Sequence, residues 1–264
     1  MIKTKPKKSL GQNFLHDAKI LNQIINEGNI SPDDIVLEIG PGTGKLTEKI
    51  LEKKPKSLIA VEKDRSLSVM LNKKFGNKIN LINKSILDCY SELKFNKPIK
   101  VFGNLPYNIS TKILISFLNI EQLNQFYEKF IFIFQKEVAD RIIAKENAKE
   151  YGRLSVLTSW RFNRLKIFDI PPDCFFPKPK VWSSLITLCP RKNFEILKKN
   201  RNLEHITRIF FNQRRKMIKK PMKMLFKNYA EIAKTLNIDL HLRPQNISKN
   251  KYLEICKIYE GLVQ

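Results

Sequence analysis

The sequence predicts an α/β fold, a mostly parallel sheet covered by helices on both faces, followed by a small all-helical C-terminal domain. Short β-branched and apolar runs alternate with helical patterns through the first part of the chain. The first of these runs opens into a glycine-rich turn, as in folds that bind a ligand at the ends of parallel strands. From about Asn193 onward the pattern is helical and strongly basic.

In chain order, residues 1–8 form a basic arm with four lysines and no acid, and a helix is expected over Ala18–Gly28. Candidate strands are Ile35–Ile39, Ser57–Val61, 79–82, 99–102 and 130–134, with helical patterns between them, including 111–118 and 135–144. After Tyr151-Gly152-Arg153 the pattern changes: a helical segment precedes Phe162–Ile170 and 183–188, which read as a closing pair of strands. Between them lies a proline-stiffened loop, 171–181, whose aromatic residues are candidates to face a pocket.

At 264 residues the chain is long enough for one large domain and a small one. Its 49 Lys and Arg against 25 Asp and Glu leave a formal charge of +24, which suits a polyanionic partner. Lysine outnumbers arginine and Asn and Ile are frequent, so part of that excess reflects background composition. Clustering is the better argument: residues 191–227 carry 13 basic side chains against Glu195 and Glu204 alone. A solvated charged face is the plain alternative, and phosphate contacts are the more economical account. The four cysteines and three histidines have no metal-ligand spacing, so neither a metal site nor a disulfide framework is expected. A long uncharged apolar stretch and a hydrophobic signal core are both missing, so a cytoplasmic, membrane-free protein is expected.

Two motifs carry chemistry. The run Ile35 to Gly44 leads a strand into Gly40-Pro41-Gly42-Thr43-Gly44 and then a helix, a turn that lets backbone approach a ligand closely. Its spacing differs from the dinucleotide fingerprint and from a phosphate loop. Glu62 comes after the next strand, where a carboxylate meets ribose hydroxyls, so Glu38 and Glu62 both sit at strand ends. An adenosyl ligand with a cationic group suits acidic strand ends better than a pyrophosphate does. The second motif is Asn104-Leu105-Pro106-Tyr107. An exocyclic base amine is a poor nucleophile because its lone pair is delocalised. The Asn104 amide oxygen and a nearby carbonyl held extended by Pro106 can accept its two hydrogens, while Tyr107 stacks on the base. Taken alone, the tetrapeptide fits a strand-to-helix turn equally well.

Seven separated segments together resemble one known family. They are Ser9 to Leu15, Glu38 to Thr47, Asn104 to Ser110, Gln135 to Val138, Tyr151 to Ser155, the Phe-x-Pro-x-Pro-Lys-Val loop from Phe175 to Val181, and Phe211 to Lys216. The chain is similar end to end to the ribosomal RNA small-subunit adenine N6-dimethyltransferases of the KsgA type. The resemblance implies a Rossmann-like S-adenosylmethionine-dependent methyltransferase domain over 1–190 and a helical RNA-binding domain over 191–264. It also implies dimethylation of N6 on two adjacent adenines in the 3′-terminal hairpin loop of small-subunit (16S) rRNA, and a role in small-subunit biogenesis. The substrate would be the 30S particle or its assembly intermediate, and the enzyme a monomer.

Carried over by residue, Asn13 and Leu15 border the cofactor, Gly40 lies under its methionine part, and Glu62 binds its ribose. Asn104 sits at the reacting amine, with Tyr107 on one face of the target adenine and Phe175 on the other. One position departs from the pattern: Ser85 stands where the family usually has an Asp on the cofactor's adenine amine. A hydroxyl accepts that bond more weakly, and Asp88 is the alternative donor of a carboxylate. The rival readings are a resistance-type dimethylase acting on large-subunit rRNA and a binding protein without catalysis, either an assembly factor that docks on the small subunit or a transcription factor of the kind derived from this family in mitochondria.

Overall fold

The computed structural model of the chain describes residues 6–93 and 95–262; residues 1–5 of the expected basic arm lie outside them. A 3-10 turn at Lys8–Leu10 precedes β1 (Phe14–Leu15) and α1 (Ala18–Gly28). The Asp17 side chain accepts from the Ile20 N–H at 2.9 Å to start α1, and Asn29 ends it in the left-handed conformation, φ 43°. Next come β2 (Ile35–Ile39), α2 (Lys45–Glu52), β3 (Ser57–Val61), α3 (Arg65–Phe75), β4 (Asn80–Ile82), α4 (Ile86–Cys89), β5 (Ile99–Asn104), α5 (Ser110–Leu118), α6 (Leu123–Phe126) and β6 (Tyr127–Gln135). The chain continues through α7 (Lys136–Ile143), α8 (Arg153–Arg161), β7 (Phe162–Ile170), β8 (Phe175–Phe176) and β9 (Ser183–Pro190), and then α9 (Asn200–Phe211), α10 (Lys219–Leu225), α11 (Tyr229–Thr235) and α12 (Lys249–Leu262).

The expected α/β architecture is present. Seven strands form one sheet in the order β4-β3-β2-β5-β6-β9-β7. Strands β4 through β6 pair in parallel, and β9 returns antiparallel to β6. The closing strands Phe162–Ile170 and 183–190 do lie side by side, with β9 inserted between β6 and β7. Because helices cover both faces, β2, β5 and β6 are runs of Ile, Val, Leu and Phe rather than alternating strands. The core joins Val36, Leu58, Ala60, Phe102, Ile131 and Leu185 of the sheet to Leu21, Ile24, Ile50 and Leu71 of the helices. A separate two-stranded pair, β1 with β8, sets Phe14 opposite Phe176 and Leu15 opposite Phe175. The spacing of the sequence does not predict it, since each strand is only two residues long.

The chain divides into two compact units. One takes the described residues through Ala139 together with Arg164–Pro190; the other takes Asp140–Asn163 with the described residues from Arg191 on. Residues 140–163 thus cluster with the C-terminal helices, whereas the sequence reading places them within 1–190. α8 packs against α9 and α12, and side-chain hydrogen bonds tie the same stretches of chain together. The Tyr151 hydroxyl donates to the Ile247 carbonyl at 3.1 Å, and the Trp160 indole N–H to the Glu195 carbonyl at 2.7 Å. The buried Arg161 guanidinium lies 4.2 Å from the Phe194 ring centroid. Within the same unit the buried Glu260 carboxylate accepts the backbone N–H groups of Lys198 and Lys199 and the Asn202 amide, so α12 caps the start of α9.

Candidate active site

In the parallel part of the sheet, β2 is continued by β3 on one side and β5 on the other, so the chain order reverses between β2 and β5. A cavity opens at the carboxyl ends of these strands, where such a reversal leaves a crevice. Gly40 succeeds β2, Glu62 succeeds β3, Ser85 lies beyond β4, and Asn104 ends β5; all four line it. The segment Ser9 to Leu15 forms another wall, so Asn13 and Leu15 line it as well. Six expected cofactor-binding residues from five separate stretches of chain therefore meet in one place.

The turn after β2 is shaped by glycine. Gly40 has φ +68°, and a Cβ built there meets only open space up to the Asn104 carbonyl at 4.0 Å. That space belongs to the cavity, so a side chain would fill room meant for a ligand. Gly42, φ +58°, cannot carry a Cβ because the Phe14 ring would stand 2.8 Å from it. The Gly42 N–H donates to Glu62 Oε2 at 3.1 Å, and the Asp64 N–H to Glu62 Oε1 at 2.8 Å. Burial raises the Glu62 pKa, and these two donors work against the rise. Glu38, 1 % exposed, accepts from the Thr47 hydroxyl at 2.7 Å; burial pushes its carboxyl up to about 8.

Asn104 is held by its own amide. Its Nδ2 donates to the Asn13 carbonyl at 2.7 Å. A carbonyl can only accept, so the NH2 must face Asn13 and the amide oxygen lies on the other side. Pro106 shapes the turn into α5, where its carbonyl accepts from the Ile109 N–H at 3.1 Å.

Sequence reasoning missed the anchor of the N-terminal wall. Lys7 Nζ and Gln12 Nε2 donate to the two oxygens of Asp64 at 2.8 and 3.0 Å, and Asp64 also starts α3 by accepting from the Ser66 N–H. Burial alone would raise the Asp64 pKa, but the Lys7 and Gln12 donors hold it below the usual carboxylate range. The only local signal is the Asp64-x-Ser66 cap; nothing nearby in sequence points to Lys7.

The whole chain matches known proteins. Residues 3–261 fit the family model described as ribosomal RNA adenine dimethylase. The chain belongs to the ribosomal RNA adenine dimethylase family. This dimethylase is 50 % identical over 258 residues to the ribosomal RNA small subunit methyltransferase A of Pelagibacter ubique, covering 98 % of each chain. It is 43 % identical to the protein of that name from Ehrlichia ruminantium, over 95 % of this chain and 96 % of the relative. A dimethyladenosine transferase from Plasmodium falciparum shares the fold, with TM-score 0.75 and 24 % identity over 92 % of this chain and 95 % of the other. The 23S rRNA methyltransferase ErmE does so at TM-score 0.66 and 22 % identity, over 95 % of this chain and all of the other. The dimethylase is thus an S-adenosylmethionine-dependent methyltransferase of Rossmann-like fold. Its cavity suits that cofactor: a glycine floor, two buried carboxylates toward a cation, and polar groups at the ends of four adjacent strands.

Two expected base walls stand outside the cavity lining. Tyr107 is half-buried, and its hydroxyl shares a 2.5 Å hydrogen bond with Ser183 Oγ. Phe175 is 2 % exposed and packs in the core beside Leu15, its β1 partner, so it offers no open stacking face. Of the two candidates beyond β4, Ser85 lines the cavity, and its Oγ caps α4 by accepting from the Leu87 N–H at 3.3 Å. Asp88 is exposed and outside the lining.

The dimethylase's second unit carries a concave basic surface, lined by Arg215, Lys216, Met217, Lys219, Lys220, Lys223, His241 and Arg243, with no acid among them. Arg214, beside it in sequence, is engaged internally, donating to the Lys149 carbonyl and to Gln245 Oε1. Among the described residues no helix is long and apolar enough to cross a membrane, and no cluster of His, Cys, Asp or Glu could hold a metal ion.

Proposed function

We propose that the chain dimethylates N6 of two adjacent adenines in the 3′-terminal hairpin loop of small-subunit rRNA, with Asn104 at the reacting amine. The observation that carries this is the Asn104 side chain at the end of β5, locked by the Asn13 carbonyl beside the open floor at Gly40. The names of the relatives at 50 % and 43 % identity support the small subunit over the large.

S-adenosylmethionine, when bound, supplies an electrophilic methyl carbon on a cationic sulfur. Asn13, Leu15, Gly40, Glu62 and Ser85, which line the cavity, would hold it, with Glu62 toward its ribose hydroxyls, Ser85 toward its adenine amine and Gly40 toward its methionine part. A cation bound beside Glu38 and Glu62 would favour their ionised forms, against the burial that raises both pKa values. Asn104 Oδ1 accepts one hydrogen of the target amine and the Leu105 carbonyl, held extended by Pro106, accepts the other. With both hydrogens held, the nitrogen lone pair turns into the cavity. This is positioning, the kind of contribution that can supply a large share of a barrier. No general base is required before bond formation, because the amine proton becomes acidic only afterwards.

An adenine in a structured loop must first leave its stack, and Tyr107 offsets part of that cost by covering one face. Phe175 is the second wall in this reading, on the condition that the entering base uncovers its ring. The basic surface of the second unit grips phosphate and orients the particle, without reading sequence. The protein acts as a monomer in the cytoplasm, on the 30S particle or an assembly intermediate, and its dissociation after methylation serves biogenesis as a checkpoint.

The deciding experiment is transfer of labelled methyl groups to unmodified small subunits, with both rRNAs analysed by mass spectrometry. Asn104→Ala should lower turnover by about a hundredfold or more while RNA affinity stays nearly unchanged. Undiminished turnover in that variant would refute the assigned role, and label in large-subunit rRNA would redirect the substrate.

A further inference from the structure

Two aromatic rings stand apart from all others of their kind. Of 17 Phe and two Trp, only Phe176 and Trp182 are exposed, at 62 % and 50 %; every other one is at least partly buried. A lone exposed apolar residue means little, but here both rings, with Val181 at 43 %, fall within one seven-residue segment from the end of β8 to the start of β9. We propose that Phe176 and Trp182 form a stacking platform for the unpaired RNA bases that flank the target adenines, outside the cavity itself. The inference rests on the small-subunit rRNA reading and deepens it.

Both ends of the platform are tied to the active site. Phe176 lies on β8, opposite Phe14 of β1, whose residues line the cavity wall. Trp182 directly precedes Ser183, whose hydroxyl meets Tyr107 of the base-holding tetrapeptide, and the Trp182 carbonyl accepts from the Lys136 N–H at 2.9 Å. The rings are therefore presented from anchored backbone. Between them the loop carries exposed Lys178 and Lys180, the former paired with Asp173 at 2.5 Å. Flat rings interleaved with cations suit single-stranded nucleic acid, because every base has a face to stack on and every nucleotide a phosphate to pair. A hairpin loop places splayed bases next to its reacting adenines, so the nucleotides adjoining the flipped base are the occupants within reach.

The test compares Phe176→Leu, Trp182→Leu and Trp182→Phe with the parent, using undermethylated small subunits for kinetics and the hairpin RNA for binding. Each Leu variant should raise KM for the particle about tenfold, with kcat and cofactor affinity held, and Trp182→Phe should recover most of the loss. Trp160 is buried, so the difference in fluorescence between the parent and Trp182→Phe reports Trp182 alone. That signal should be quenched by the hairpin and not by a blunt duplex of equal length. A parent that methylates the particle while both Leu variants keep its KM overturns the platform alone. So does equal quenching by the duplex, which means phosphate attraction, or quenching by particles and never by naked hairpin, which means a protein partner. A parent that leaves small-subunit rRNA unmethylated overturns the substrate reading beneath it.

Discussion

The strand-end cavity and the basic surface of the second unit are both concave and polar, but they hold opposite charge by opposite means. The cavity's carboxylates, Glu38 and Glu62, are buried among backbone donors and a hydroxyl, and burial drives both toward their neutral forms. The cations of the other surface, from Arg215 to Arg243, are dispersed over solvated side chains. Once ionised, a buried acid acts on one compact cation at short range and is little screened, whereas a solvated basic patch acts on an extended anion and fades with salt. The two surfaces thus suit ligands of opposite charge in different electrostatic regimes.

Breaking the basic side should give the larger effect. Arg215→Ala with Lys216→Ala should weaken RNA binding and lower the slope of log K against log salt by about two units, with cofactor affinity unaffected, as a titration at several ionic strengths would read. Arg214→Ala should differ in kind: its bonds to Lys149 and Gln245 stabilise the unit, so thermal unfolding should shift along with RNA affinity.

The acidic side is sharpened by pH. Glu38 keeps its proton in the folded protein up to about pH 8, against the usual 4.5 when unfolded. The stability gained from burying a neutral carboxyl is therefore complete below pH 4.5 and lost as pH rises through 8. Glu38→Gln should flatten that decline, leaving the variant more stable than the parent by a few degrees at about pH 9 in calorimetry. A bound cation favours the ionised form, so cofactor affinity should rise from about pH 6 to about pH 9 in the parent and rise less steeply in the variant, where Glu62 alone still titrates.

The smallest effect is expected at the N-terminal wall. Lys7→Ala removes a half-exposed ion pair to Asp64 worth about 1 kcal/mol or less, so cofactor affinity should drop a few-fold at most by equilibrium binding. A loss as large as that from Asn104→Ala in activity would mean that Lys7 touches the ligand directly.

Separation along the chain decides which features are legible in the sequence. Gly40, Glu62 and Asn104 stand at or just past the ends of short apolar runs that the sequence announces as strands, and parallel pairing then brings those ends together. Ser85 stands out because a serine replaces the acid usual at that position, and it lies in the cavity wall. The facing of Phe175 and Phe176 is not legible. In a strand of two residues, register against Leu15 and Phe14 alone decides which ring turns inward, and that partner lies far away in the chain. The same holds for the Lys7 and Gln12 bonds to Asp64, and for residues 140–163, whose helix α8 packs on helices far away in the chain.

The pairing of β1 with β8 has a consequence for biosynthesis. One side of the cavity is fastened by residues separated by roughly 160 positions, a long ring to close, though its entropic penalty grows only logarithmically. A nascent polypeptide has no finished pocket until Phe176 has left the exit tunnel, well past the midpoint of translation. The newborn enzyme is therefore silent until most of it has been made.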